Sequence, residues 1–265
     1  MPIASAAKKL TRSLLFEFPA LYDALTGPKR YQLLYRMGRP HERDFLGLRR
    51  LVATTTPEIL DVGGNIGQSV YSFYALFPVA RVTTVEPNVG NHATLRRLKV
   101  EFPTLTILPF ALSDVAGTGK LYWPSYRGKT MSGLASLDED SARDWLGNDT
   151  VYRFNPNLLS IESGEFEVRR IDDLALTPDI IKIDVQGFES QVLIGALESI
   201  SSSRPVIMAE SLSERLDGVK AVMRLGYRLL EFDGRNFHEV VGPKNMNQFL
   251  VPDENDVISR LGVKP

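Results

Sequence analysis

The 265-residue chain has no cysteine, which excludes disulfides, thiolate metal sites, iron–sulfur clusters and a cysteine nucleophile together. Histidine is scarce: His41, His92 and His238 are the only three, so few imidazoles are at hand for base catalysis. No stretch approaches the roughly 20 consecutive apolar residues that a membrane-spanning helix needs. A secretion signal is not expected either, because Lys8, Lys9, Arg12 and Glu17 interrupt the apolar residues of the N-terminus. The expected location is cytoplasmic. Neither charge is in excess, with 31 Lys and Arg against 32 Asp and Glu and a net charge of -1. A basic coat for nucleic acid is therefore not expected. With 43% hydrophobic and 24% charged residues, the composition suits a globular domain and not a disordered chain.

The charge that is present is unevenly placed. Residues 1–56 hold ten Lys and Arg against four acids, a balance of +6 that leaves -7 for the remainder. Leu10, Leu14, Leu15 and Phe18, then Tyr31, Leu34 and Tyr35, have helical spacing, broken at Gly27-Pro28. This predicts a helical N-terminal arm over 1–56, its basic face either in water or turned to an anionic partner.

From Pro57 the pattern alternates between strands and helices. Strands are expected at Glu58–Val62, Arg81–Val85, Thr104–Pro109, Ile180–Val185, Pro205–Glu210, Tyr227–Phe232 and Asn247–Val251. Helices are expected at Asn65–Phe77, from an Asn88 N-cap to about Phe102, near Phe188–Ser199 and at Glu214–Leu225. Such alternation implies an α/β fold with a doubly wound sheet over residues 57–265. Residues 116–170 fall outside the rhythm, far longer than an ordinary connection. Their Tyr122, Trp123, Tyr126, Trp145, Tyr152 and Phe154, mixed with Ser, Gly, Asp and Asn, suit either a decorative hairpin insertion or an acceptor lid.

The most informative stretch is Asp61-Val-Gly-Gly-Asn-Ile-Gly67, after a strand and opening a helix. Its glycines let the backbone turn tightly against a ligand. Glu86 ends the next strand, 23 residues after Gly63, where a carboxylate can accept from both ribose hydroxyls of a nucleoside cofactor. Counted from Gly63, Asn65 and Gln68 stand where the dinucleotide fingerprint needs glycine, and Gly117-Thr-Gly-Lys120 lacks the P-loop spacing. The pattern that remains, with Gly63, Asn65 and Gly67 behind Asp61, disfavours a pyrophosphate and welcomes the cationic charges of S-adenosylmethionine. Ala111-Leu-Ser113-Asp114 follows the third strand, where Asp114 could accept from the adenine amine.

These segments, DVGGNIG at 61–67, VEPN at 85–88, ALSD at 111–114, IDDL at 171–174 and IKIDVQGFESQVLIGA at 181–196, with Glu210 beyond them, resemble the FkbM family of S-adenosylmethionine-dependent methyltransferases. The resemblance spans roughly 55–251. It implies a class I methyltransferase (Rossmann-like) sheet of about seven strands, the last antiparallel, and methyl transfer to oxygen, often on sugars or complex natural products. Cofactor contacts are expected from Asp61, Gly63, Asn65, Gly67, Glu86, Asn88, Ser113 and Asp114. Two departures stand out: Gln186 occupies the usual Glu of the D-V-E-G motif, and Ser132–Leu137 carries Ala135 in place of a serine.

Methyl transfer requires the protein to align an acceptor oxygen and help remove its proton. Asp184 and Glu210 end adjacent strands and should face the ligand crevice, as a Mg²⁺ site, or with Asp184 holding the methionine amine or acting as base and Glu210 binding a sugar hydroxyl. Glu189 is a secondary candidate or a simple helix-start acid. His238, in a loop between the last two strands, is a candidate base, and His92 is expected at the surface. The expected function is O-methylation of a saccharide or glycosylated metabolite. The expected partner is a small-molecule or oligosaccharide acceptor, with a homodimer left open. Methylation of RNA or protein, favoured by the basic arm, and a non-catalytic nucleotide-binding or membrane-surface module are the alternatives.

Overall fold

The computed structural model describes residues 9, 13, 17, 27–131, 134–136, 138–240, 247–256 and 258. Its strands are β1 (Glu58–Val62), β2 (Arg81–Val85), β3 (Leu105–Leu108), β4 (Ala111–Leu112), β5 (Gly117–Tyr126), β6 (Lys129–Thr130), β7 (Leu159–Arg169), β8 (Ile180–Ile183), β9 (Val206–Glu210), β10 (Tyr227–Phe232), β11 (Phe237–Glu239) and β12 (Asn247–Pro252). The chain divides into two compact units, residues 31–117 with 167–265 and residues 1–30 with 118–166.

The larger unit holds one sheet in the order β11-β10-β12-β9-β8-β1-β2-β3. β3, β2, β1, β8 and β9 pair in parallel, whereas β12 runs antiparallel to both β9 and β10. Strand alternation sends Ile59, Val82, Ile180, Met208 and Phe249 into one core and Leu60, Val85, Ile181, Ile207 and Leu250 into the other. Helices Gln68–Leu76 and Val89–Glu101 cover the first face, joined by Phe45, Leu48 and Leu51 of helix Phe45–Leu51. The second face is covered by Glu189–Ile194, Leu197–Ser203 and Asp217–Arg224. Residues 31–56, expected within the arm, thus belong to this unit.

The sheet has eight strands where seven were expected. The addition is β11, read from sequence as loop: Phe237 closes against Phe232 (4.8 Å between ring centroids) and Phe249 (5.4 Å), which holds three residues too few to show a period. The expected helix from Asn65 starts only at Gln68, because Asn65 (φ 46°) and Gly67 (φ 90°) are left-handed. The expected helix near Phe188–Ser199 is two helices, parted at Gly195, where a Cβ would overlap the Ser113 carbonyl oxygen.

In the smaller unit β5 and β6 form a hairpin, Ser125 opposite Thr130, around a core of Tyr126, Met131, Leu146 and Val151. Trp123 Nε1 donates to Glu162 at 3.0 Å. Leu10, Leu14, Leu15 and Phe18 of the arm, and residues 132, 133 and 137 of the Ser132–Leu137 segment, lie outside the described residues. No helix among the described residues is long and apolar enough to cross a membrane.

Candidate active site

The site is built where β1, β2, β8 and β9 end. The turn after β1 folds back under tight steric terms. Gly63 (φ 86°) and Gly64 both donate their N–H to the Val85 carbonyl, at 2.9 and 3.1 Å. A Cβ on Gly63 would overlap the Asp184 carbonyl oxygen, and one on Gly64 the Thr84 hydroxyl. The turn then feeds the helix Gln68–Leu76.

Glu86 closes this turn from β2. Its Oε2 accepts the Asn65 N–H and its Oε1 the Asn88 N–H, both at 2.7 Å. Burial pushes its pKa up to about 6, against the pull of those hydrogen bonds. A carboxylate offers about four acceptor sites, so with the Asn91 amide also donating to it Glu86 keeps capacity for about one further donor. Asn88 caps the following helix by accepting from Gly90 N–H (2.9 Å), and Asn91 Nδ2 donates to Asn65 Oδ1 (3.2 Å). His92, expected at the surface, is buried, its Nε2 donating to the Glu86 carbonyl at 2.6 Å.

Asp61 was expected to meet a ligand cation directly, but the structure turns it into the sheet. It is fully buried, with Oδ2 accepting from Ser69 Oγ (2.7 Å) and Thr84 Oγ1 (2.9 Å). Its Oδ1, without a hydrogen-bond donor, lies 3.9 Å from Lys182 Nζ. Burial raises the Asp61 pKa, opposed first by Lys182. Lys182, also buried, reaches 3.1 Å to Asp184 Oδ2. Burial disfavours its charge, but Asp184 and Asp61 outweigh that and raise its pKa. For Asp184 burial is likewise the largest influence, yet Lys182 and the Gln186 amide, 2.9 Å from Oδ1, leave its pKa lowered. The residue that departs from the family motif is therefore a donor to Asp184, which a glutamate could not be unless protonated.

Glu210 ends β9, its pKa raised by partial burial and by Asp184, Glu42 and Glu189. Glu189 accepts from Gly187 N–H at 3.0 Å and Val185 N–H at 3.3 Å, and so braces the loop that leads into its helix. Ser113 Oγ donates to Asp114 Oδ1 at 2.9 Å. The structure does not bring His238 to these groups. It lies on β11, four strands from β8, roughly 19 Å at about 4.8 Å per strand. There it is exposed and 3.0 Å from Asp233 Oδ2.

Asp184 and Glu210 do not fit a magnesium ion. Among the described residues no three His, Asp or Glu are grouped to hold a metal, and the Lys182 ammonium already occupies the neighbourhood of Asp184. Three residues were given no role in the sequence reading. Lys182 is signalled by a lone charge inside the apolar run Ile180–Ile183. His41 and Glu42 come from a segment without a matched motif. Glu42 Oε2 accepts from Asn247 Nδ2 at 2.9 Å, and Asn247 is the cross-strand partner of Glu210.

This sequence is similar to several known proteins. The 2-O-methyltransferase NoeI of Sinorhizobium fredii is 25% identical over 179 residues, covering 63% of this chain and 69% of NoeI. The AMB antimetabolite synthetase AmbE of Pseudomonas aeruginosa is 30% identical over 197 residues, 62% of this chain but only 9% of AmbE. The crystal structure of methyltransferase FkbM from Methylobacillus flagellatus is 18% identical with a TM-score of 0.49, covering 76% of this chain and 45% of that one. Residues 61–250 match the family model described as the methyltransferase FkbM domain, and the chain belongs to that family.

Proposed function

We propose that the protein transfers a methyl group from S-adenosylmethionine to a hydroxyl of a saccharide or glycosylated metabolite. The observation that carries this reading is the line of carboxylates at four adjacent strand ends, Glu86, Asp61, Asp184 and Glu210, with Lys182 as the cation set among them. Such an excess of negative charge suits a cationic donor and repels a pyrophosphate. The residues present fit that donor: Glu86 retains acceptor capacity for a ribose hydroxyl, and Asp184 and Glu210 are partly open to solvent. The bound donor would supply an electrophilic methyl on a sulfonium. The protein's part is to fix the acceptor and take its proton. Membership of a methyltransferase family supports the transfer, and a relative whose name specifies 2-O-methylation supports oxygen as the acceptor atom.

The test is incubation with methyl-labelled donor and panels of oligosaccharides, RNA and protein. Label on oligosaccharide hydroxyls supports the reading. Label only on RNA or protein, or none on any panel, rejects it.

A further inference from the structure

We propose that His41 is the general base of the transfer, a role that rests on the O-methyltransferase reading above. The sheet's alternation places Asp61, Lys182, Asp184, Glu210 and Asn247 on one face, the face covered by the segment that carries His41 and Phe45. His41 is therefore on the side of the sheet where the carboxylates stand, unlike His238 at the far edge.

Two aromatic rings and a hydroxyl hold the ring. Phe45 lies 4.9 Å and Tyr31 5.8 Å from it, centroid to centroid, the latter edge-on. Ser72 fixes its orientation. The hydroxyl has one proton, given to the Gln68 carbonyl at 3.2 Å. Its oxygen accepts from the His41 backbone N–H at 2.9 Å, and the ring Nδ1 is 2.6 Å away. On this proposal Nδ1 is the protonated nitrogen of the neutral ring, and Nε2 carries the basic lone pair. Nε2 lies 3.7 Å from Glu42 Oε1, and Asp184 responds to the ring as a positive neighbour. Glu42 is itself pinned by Asn247, opposite Glu210. The charged or titratable groups around the ring include Tyr31, Glu42 and Asp184, with Asp44 and Lys182 behind them. The Glu42 carboxylate beside it favours the imidazolium that a base must become.

The step balances without a further reagent. The acceptor O–H bond breaks and its proton passes to Nε2. The oxygen's electron pair forms the new bond to the methyl carbon, while the carbon–sulfur pair stays on sulfur as a neutral thioether. The imidazolium afterwards loses its proton to solvent.

The decisive variant is His41→Asn, whose amide keeps a donor for Ser72 and lacks Nε2. Base catalysis by a positioned side chain contributes about 10²–10⁴-fold, so kcat should fall at least 10²-fold while calorimetric binding of S-adenosylmethionine stays within twofold. The acidic limb of the pH–rate profile should vanish with it. Ser72→Ala, which only loosens the ring, should cost less. On the wild-type chain alone, ¹⁵N NMR should show a neutral ring protonated at Nδ1, whose titration moves down in Asp184→Asn and Glu42→Gln. Activity of His41→Asn within threefold of wild type overturns the proposal by itself, as does a ring protonated at Nε2. A wild-type chain that methylates no hydroxyl in the panels overturns the functional reading, and this proposal with it.

Discussion

Replacing Lys182 with methionine removes a buried cation while keeping most of its volume. Its ammonium lies 3.1 Å from Asp184 and 3.9 Å from Asp61. At an effective dielectric of about 20, each contact is worth about 4–5 kcal/mol of gross attraction, much of it offset by the desolvation of the charges. The net cost of leaving both carboxylates behind is about 3–5 kcal/mol. That is a large share of the about 5–15 kcal/mol that holds a domain folded. The sign with pH follows from the same charges. Without Lys182 both aspartates have folded pKa values above their unfolded ones, so the folded state binds more protons between the two. The loss should be full at pH 7 and shrink as pH falls towards the unfolded carboxylate range near 4. Urea melts followed by circular dichroism at pH 7 and pH 4.5 read both quantities. The double variant Lys182→Met/Asp184→Asn should recover part of the loss at pH 7. A single variant within 1 kcal/mol of wild type at both pH values would refute the claim that this lysine neutralises the two acids.

Gly63→Ala should lower the melting temperature more than Gly67→Ala: both have positive φ, but the first drives a Cβ into the backbone oxygen of Asp184 and the second into the movable tip of Leu98. Glu86, pushed up to about 6, should make wild-type stability fall by about 2 kcal/mol as pH rises from about 4.5 through 6. Glu86→Gln, melted across that interval, should lack the slope. His238→Ala should keep initial rates within twofold of wild type, whereas Asp184→Asn should lose them by at least tenfold. Excess EDTA should leave the rate of methyl transfer unchanged, because the donor set suits no magnesium ion; abolished turnover would bring the metal back.

Several strand positions were legible because buried strands are short runs of apolar and β-branched residues: Glu58–Val62, Arg81–Val85 and Tyr227–Phe232 read from sequence with the observed bounds. The Asn88 cap was legible for a local reason, a side chain that bonds two residues on. What escaped depends on contacts distant in sequence. β11 exists because Phe237 meets Phe249, and helix 189–203 is broken because Gly195 abuts Ser113. The glycine turn and Glu86 stand together as their spacing suggested, but Asp61 faces inward because Lys182, on the neighbouring strand, stands beside it. Nothing local in His41-Glu42-Arg43-Asp44 reveals that Asn247 will hold it opposite Glu210.

The most direct measurement is calorimetric titration of S-adenosylmethionine into the wild-type chain and Glu86→Gln, with NAD as a control. Saturable binding of the donor, at least tenfold weaker in Glu86→Gln, with no heat from NAD, is the expected result. Equal affinity in the two chains, or heat from NAD alone, would contradict a sulfonium nucleoside site at the ends of β1 and β2.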